Sequence, residues 1–263
     1  MPKAQSECIR CGTIIIAQPE PAPKLTKEAI IQLAIGASFA VSVFSVDLLA
    51  FLFTPLVTLV HELGHALTGW IFGYPSIPAF DFAYGGGVTA YLDRQTSLLV
   101  IIYAVFAYAL LQLRQNKKML LLVATVSMLY TIAAFTRIHE LLMIAMGHGS
   151  ELLFAMLFLY RAISGSSLVH NLERPAYAFA GCYITLHNLK FAYRLATRAD
   201  YRLEYEEAKG GGHWMDFSRI ALEFMDGKLV LVATIFLLAT LLVPVLSYLL
   251  YRYGKHLLTP IRP

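Results

Sequence analysis

Long apolar stretches, separated by short polar breaks, make up most of the chain. A membrane-spanning helix needs about 20 mainly apolar residues, and seven stretches approach or exceed that length. They cover residues 29–45, 48–72, 96–113, 119–135, 141–160, 175–196 and 229–251. The pattern predicts an all-α polytopic membrane protein with about six to seven transmembrane helices. The sixth stretch is the weakest span, because Lys190 and Arg194 interrupt it near its end.

The break between the second and third stretches has a different pattern. Residues 79–89 alternate aromatic and small side chains around three consecutive glycines, which predicts a short hairpin or re-entrant loop. Such backbone is tolerated at membrane depth only where protein covers it or where it lines a cavity. One interpretation is an ordinary connecting hairpin, and the other is an edge strand that pairs with an unwound substrate segment. The second interpretation makes the substrate-binding residues Gly85, Gly86, Gly87, Val88 and Thr89.

Both ends of the chain are polar. Residues 1–28 contain several prolines and no apolar stretch long enough for a secretory signal. Residues 253–263 form a short tail, so residues 29–252 are predicted to form a single transmembrane domain. Cys8 and Cys11 form a C-x-x-C pair in the first tail. They are either two reduced thiols or half of a metal site, which a partner in a membrane complex or a second copy in a homodimer would complete.

Composition and charge agree with a membrane location. The chain is 58% hydrophobic and 14% charged, whereas soluble domains carry about 25% charged residues. The net charge is only +4, and the basic residues lack the aromatic interleaving typical of nucleic-acid binding. We expect a multi-pass protein of the lipid bilayer, in the bacterial inner (plasma) membrane, with no nucleic-acid partner. The positive-inside rule favours a cytoplasmic N-terminus, although the basic cluster at residues 114–118 argues the other way.

The second stretch contains the pentapeptide HELGH at residues 61–65, which holds every ionisable residue of that stretch. On a helix, His61 and His65 lie one turn apart on one face, where both imidazoles can bind one zinc ion. Glu62 can then serve as general base toward a water at the metal. Because ionisable side chains are costly at membrane depth, this context favours a metal site. The alternative is a buried polar network that packs helices.

A hydrolytic zinc site has three protein ligands and a water, so a third ligand must come from elsewhere. The first candidates are His148 and Glu151 in the fifth stretch, where one could bind the metal and the other could orient a ligand. The second candidates are His213 and Asp216 in the polar segment before the last stretch, and Asp226 ranks third. The alternatives are an interhelical hydrogen bond for the first pair and an interfacial helix for the second.

The sequence HELGHALTGWIFG at residues 61–73, followed by GGGVT at residues 85–89, resembles the site-2-protease type of intramembrane zinc metallopeptidase, the M50 family. The resemblance covers residues 59–89. It implies a zinc ion bound by both motif histidines near the cytoplasmic face, with the motif glutamate activating water. The third ligand of that family is usually an aspartate in a motif with Asn-Pro and Asp-Gly. This chain has Asp226-Gly227 without a preceding Asn-Pro.

These observations make an intramembrane zinc endopeptidase, acting on a transmembrane protein or peptide, the leading hypothesis. Within it, His187 and Asn188 of the sixth stretch could position substrate or water. The alternative is a non-catalytic membrane subunit or chaperone built on an M50-like scaffold, which the missing Asn-Pro element and the lone cysteine pair favour. A transporter with buried histidines is a third hypothesis, but no internal repeat supports it.

Overall fold

A computed structural model of the chain describes residues 5–7, 14–16, 25–82, 85–166, 168–170, 172–208 and 215–258. Its helices are α1 (Lys27–Ser45), α2 (Asp47–Ile71), α3 (Thr96–Gln112), α4 (Lys117–Ala134), α5 (Ile138–Ser164), α6 (Glu173–Thr197), α7 (Ala199–Glu207), α8 (Asp216–Phe224) and α9 (Leu229–Leu258). Its strands are β1 (Gln5–Glu7), β2 (Ile14–Ile16), β3 (Ser76–Phe80) and β4 (Gly87–Tyr91). β1 pairs with β2, and β3 with β4, both antiparallel. Cys8 and Cys11 lie outside the described residues.

Local signals explain where several helices begin and end. The hydroxyl of Thr26 accepts a hydrogen bond from the Ala29 amide at the start of α1, and the Asn116 side chain does the same for Met119 in α4. α5 ends at Gly165, whose φ of 63° is the left-handed conformation that glycine adopts easily. The break between α1 and α2 falls at Val46, whose backbone is extended. This position lies in the gap between the first two apolar stretches of the sequence, residues 29–45 and 48–72.

The protein is mostly helical, as expected of an all-α membrane protein. Each of the seven predicted spans corresponds to a helix. By length and composition, α1, α2, α4, α5 and α9 can cross a membrane. α3 is apolar but has only 17 residues, and α6 is less apolar because it contains four charged residues.

The centre of the molecule is a bundle of α2, α5, α6 and α9, in which α2 and α6 run in one direction and α5 and α9 in the other. Pairs of contacts along the helices give these directions. α2 is antiparallel to α5, because Val60 contacts Ser150 and His65 contacts Met143; α5 is antiparallel to α6 through the pairs Leu159–Gly181 and His148–Phe191. α5 is parallel to α9 through the pairs His148–Phe236 and Met156–Ser247. Small residues permit these close approaches. A Cβ at Gly64 would collide with the Met146 carbonyl and Ser150 of α5.

α1 runs alongside α6 in the same direction. Gly36 packs against Ala178, and farther along both helices Phe44 packs against Tyr183. α1 and α2 therefore do not form the antiparallel pair that seven alternating spans require. Since α2 also runs with α6, the start of α1 and the end of α2 lie at opposite ends of the bundle. We call the end of the bundle at which α1 starts the N-terminal end, and the opposite end, at which α2 finishes, the site end.

The α3–α4 pair joins the bundle at the site end through an aromatic cluster built around Phe72, Leu99 and Tyr130. Arg94 stabilises this junction, because its Nε donates to the Phe72 carbonyl at 3.1 Å and its Nη2 donates to the Ala134 carbonyl at 2.7 Å. These carbonyls lie at the C-terminal ends of α2 and α4, so one guanidinium caps both helices. The connection between α3 and α4 consequently lies at the N-terminal end.

The polar segment before the last span contains α7 and α8, both shorter than the predicted spans. α8 is strongly amphipathic and buries Phe217, Ile220 and Ala221 against α5 and α9. This apolar face holds the helix at the site end of the bundle. It carries one of the residues that form the candidate site.

Candidate metal centre

Three side chains from α2 and α8 converge at the site end. The Nε2 atoms of His61 and His65 are 3.1 Å apart, and each lies 3.0 Å from Oδ2 of Asp216. Donors that bind one tetrahedral zinc ion at about 2.0–2.2 Å lie about 3.3 Å from one another. The triangle therefore has the dimensions and the donor chemistry that a single zinc ion requires.

Gly147 of α5 faces this triangle. A Cβ at position 147 would lie 2.6 Å from Nε2 of His61 and closer still to Nε2 of His65. Both nitrogens therefore pack closely against the backbone of α5, and only glycine at position 147 leaves room for the two imidazoles. The described residues fit a metal ion by the dimensions and the donor chemistry of the triangle.

The far nitrogen of each motif histidine is also engaged. Nδ1 of His61 lies 2.6 Å from Oε1 of Glu151, and Nδ1 of His65 lies 2.7 Å from the Met143 carbonyl. Oxygen acceptors at these positions favour the tautomer with hydrogen on Nδ1, which leaves the Nε2 lone pair for a metal. The Glu151 side chain is only 3% exposed, so its charge depends on its histidine partners.

Asp216 is the first residue of α8, where the helix dipole stabilises negative charge. The next amide, that of Phe217, donates to the Tyr205 hydroxyl of α7 at 3.2 Å, which fixes the start of the helix. Burial would raise the pKa of Asp216, whereas the charges and hydrogen bonds of His65 and His61 in their protonated forms lower it below the ordinary value. The carboxylate form of Asp216 that these contacts favour is also the form that could bind a metal ion.

Glu62 is buried and held by the β3–β4 hairpin. Its Oε2 accepts a 2.6 Å hydrogen bond from the Thr89 hydroxyl, and a Cβ at Gly87 would collide with its carboxyl group. Strand β4 thus determines where the candidate base points.

His148 lies beside the triangle. One of its ring nitrogens is within 4.8 Å of donor atoms of His61 and Asp216, so these three residues form a second, overlapping candidate triad. Of the two triads, the one with His65 fits a metal ion better, because all three of its edges are 3.0–3.1 Å and two of its members are one helical turn apart.

As the third metal ligand, the geometry favours Asp216, one of the second candidates from the sequence, over His148 and Glu151, the first candidates. Glu151 contacts the far side of His61, away from the triangle. Asp226 is not brought to the site, because its side chain is 91% exposed and pairs with Lys228 in the turn before α9. His213 lies outside the described residues.

The other predicted site residues have mixed positions. Asn188 donates to the Ile184 carbonyl of its own helix, and Nδ1 of His187 is buried with no hydrogen-bond partner among the described residues. The glycine-rich loop is a hairpin, in which only Gly87 and Thr89 of the five predicted residues contact Glu62 within the described part. The other three residues predicted to bind substrate are Gly85, Gly86 and Val88.

Sequence reasoning missed two groups that shape the site, the Met143 carbonyl and the Tyr205 hydroxyl. A backbone carbonyl has no residue signature, and Tyr205 lies in a segment that was predicted only as polar. Comparisons with models of protein families, with curated proteins and with solved structures found no match. The functional assignment therefore rests on the geometry of the site.

Proposed function

We propose that this protein is an intramembrane zinc endopeptidase that cleaves a transmembrane or membrane-proximal peptide segment. The observation that carries the proposal is the triangle of His61, His65 and Asp216 beside Glu62, at the end of a bundle of apolar helices. Three protein ligands, rather than four, are the pattern of hydrolytic zinc sites. When bound, zinc would polarise the scissile carbonyl and lower the pKa of water.

Each site residue has a part in this reaction. Glu62 accepts a proton from the attacking water and delivers it to the nitrogen of the leaving amine as the peptide bond breaks. Thr89 holds the carboxylate of Glu62 in place for both transfers. Glu151 and the Met143 carbonyl keep the two imidazoles in the required tautomer and orientation.

We further propose six alternating membrane crossings, by α2, α3, α4, α5, α6 and α9, with α1 lying along α6. The helix directions agree with this path. α6 supports it by length, since 25 residues extend about 37 Å. The basic residues Arg114, Lys117 and Lys118 then share the N-terminal end with Lys27, which favours a cytoplasmic N-terminus in a plasma membrane. The site would open toward the opposite face.

The central experiment measures zinc content and cleavage of a transmembrane peptide by the purified protein. Glu62→Gln should retain one zinc per chain and lose cleavage by at least about 100-fold, because only the general base is removed. Asp216→Ala should lose both zinc and cleavage, because two histidines alone do not hold the ion.

Asp226→Ala is the matched control and should behave like the wild type, because Asp226 is an exposed aspartate ten residues farther along the chain. Wild-type cleavage by Glu62→Gln would contradict the mechanism. A wild-type protein that binds zinc but cleaves no peptide would instead favour the non-catalytic subunit.

A further inference from the structure

His148 is a third histidine at the site whose role the proposed mechanism leaves open. Its ring is packed among three phenylalanines, stacked on Phe191 at 5.0 Å and tilted against Phe217 and Phe236 at 4.5 and 5.2 Å between centroids. The fourth neighbour is the ring of His61, edge-on at 4.5 Å. These contacts come from α2, α6, α8 and α9, so the position of the imidazole is fixed from several sides.

Glu151 relates His148 to the metal ligands. Its carboxylate is 2.6 Å from Nδ1 of His61 and 3.4 Å from Nδ1 of His148. A carboxylate is a hydrogen-bond acceptor, so it favours the tautomer of His148 in which Nδ1 carries the hydrogen. The other nitrogen, Nε2, then presents a lone pair and can accept one hydrogen bond.

His148 and Glu62 belong to different walls of the site. Glu62 is held by strand β4, whereas His148 is held by the helices around it, with one ring nitrogen within 4.8 Å of a donor atom of His61 and of a carboxylate oxygen of Asp216. In hydrolysis of a peptide, the groups that can donate a hydrogen bond are the attacking water and the N–H of the scissile bond. Glu62 already receives the proton of the water.

We propose that His148 is a further catalytic residue, which accepts a hydrogen bond through Nε2 from the N–H of the scissile peptide bond. This role rests on the proposed function. It would orient the peptide bond that is cut. The contact fixes the peptide plane relative to the water and to Glu62, and His148 itself gains and loses no proton. Misorientation of reacting groups by about 1 Å can cost about 100-fold in rate.

The test compares an amide substrate with the same peptide carrying an ester at the scissile position, which has no N–H. In His148→Asn, the side-chain amide can replace Nδ1 toward Glu151, but nothing replaces Nε2. This variant should keep its zinc and cleave the amide about 100-fold more slowly, while its rate on the ester stays near that of the wild type. His148→Gln, whose amide oxygen reaches farther, should recover part of the amide rate.

Three results would overturn the proposal. Loss of zinc in His148→Asn would make His148 a metal ligand, and equal losses on amide and ester would assign it to the water or to packing. An amide rate like that of the wild type would remove it from the reaction. A wild-type protein that holds zinc and cleaves neither substrate would refute the proposed function as well, which separates that failure from the other three.

Discussion

At the scale of single residues, the absence of a side chain at Gly147 is a steric requirement of the site. Both motif histidines direct Nε2 toward this position, and a Cβ there would overlap with both nitrogens. The backbone of a neighbouring helix is thereby part of the wall around the candidate metal. An alanine would have to displace α5 or the two imidazoles, and either change spoils the donor triangle.

Gly147→Ala should therefore abolish zinc binding, even though alanine favours a helix over glycine by about 1 kcal/mol. The measurement is zinc content after purification, with circular dichroism to show that the helices remain. Gly149→Ala is the control on the same helix. Its Cβ would meet only the flexible Met146 side chain at 3.0 Å, so this variant should hold zinc like the wild type. Equal zinc contents in the two variants would refute the steric argument.

Glu151 also acts at this scale, through the far nitrogen of His61. Glu151→Gln keeps the size of the side chain but removes the charge that orients the ring, so zinc affinity should fall about 10- to 100-fold. Competition with a chelator of known affinity measures this change. Glu140→Gln, on the same helix but in an exposed pair with Arg137, should leave the affinity unchanged. An unchanged affinity in Glu151→Gln would mean that the contact is dispensable.

At the scale of elements, the β3–β4 hairpin would connect the substrate with the base in the proposed reaction. Strand β4 holds Glu62 through Thr89, and a strand with an unpaired edge can accept an extended peptide. Thr89→Val removes the hydroxyl at nearly constant volume, so the turnover rate should fall about 10-fold or more while zinc is retained. Val88→Thr, the adjacent and half-exposed position, is the control for polarity on this strand. A larger loss in Val88→Thr than in Thr89→Val would reverse the assignment.

The helices that were predicted well are those with a signal in their own sequence. α2 spans Asp47–Ile71, against a prediction of residues 48–72, because the length of an apolar run alone limits a span. A helix near α8 was predicted only as one of two alternatives for the segment with His213 and Asp216, because nine residues inside a polar segment give too short a pattern to define its bounds. The same distinction holds at the site. His61, Glu62 and His65 form a local motif, whereas Asp216 meets His65 across 151 residues, a contact that depends on how the whole bundle packs.

At the scale of the whole molecule, the direction of α1 determines how the protein lies in a membrane. Because α1 and α2 both run with α6, the start of α1 and the metal centre are at opposite ends of the bundle. The resemblance to site-2 proteases implied a zinc ion near the cytoplasmic face, and basic residues favoured a cytoplasmic N-terminus. In the proposed arrangement of six crossings, these two expectations exclude each other.

The accessibility of introduced cysteines distinguishes a cytoplasmic N-terminus from a cytoplasmic metal centre. In a variant whose own three cysteines are replaced by serine, single cysteines at Glu28, Tyr253 and Asp226 should be labelled by an impermeant reagent in intact and inverted vesicles. Glu28→Cys and Tyr253→Cys should react from one face and Asp226→Cys from the other, since α1 begins and α9 ends at the N-terminal end. Reaction of Glu28→Cys and Asp226→Cys from the same face would contradict the proposed path.

The separation of 151 residues between His65 and Asp216 also has a consequence for synthesis. α2, with both histidines and Glu62, is synthesised long before Asp216, which completes the triangle. During that interval, the growing chain carries two ligands and a base but no closed site. On the proposed function, proteolysis waits until α8 has been translated and has docked against α5 and α9. On that proposal, the order of the ligands along the chain delays cleavage, which would protect the insertion machinery and the nascent chain.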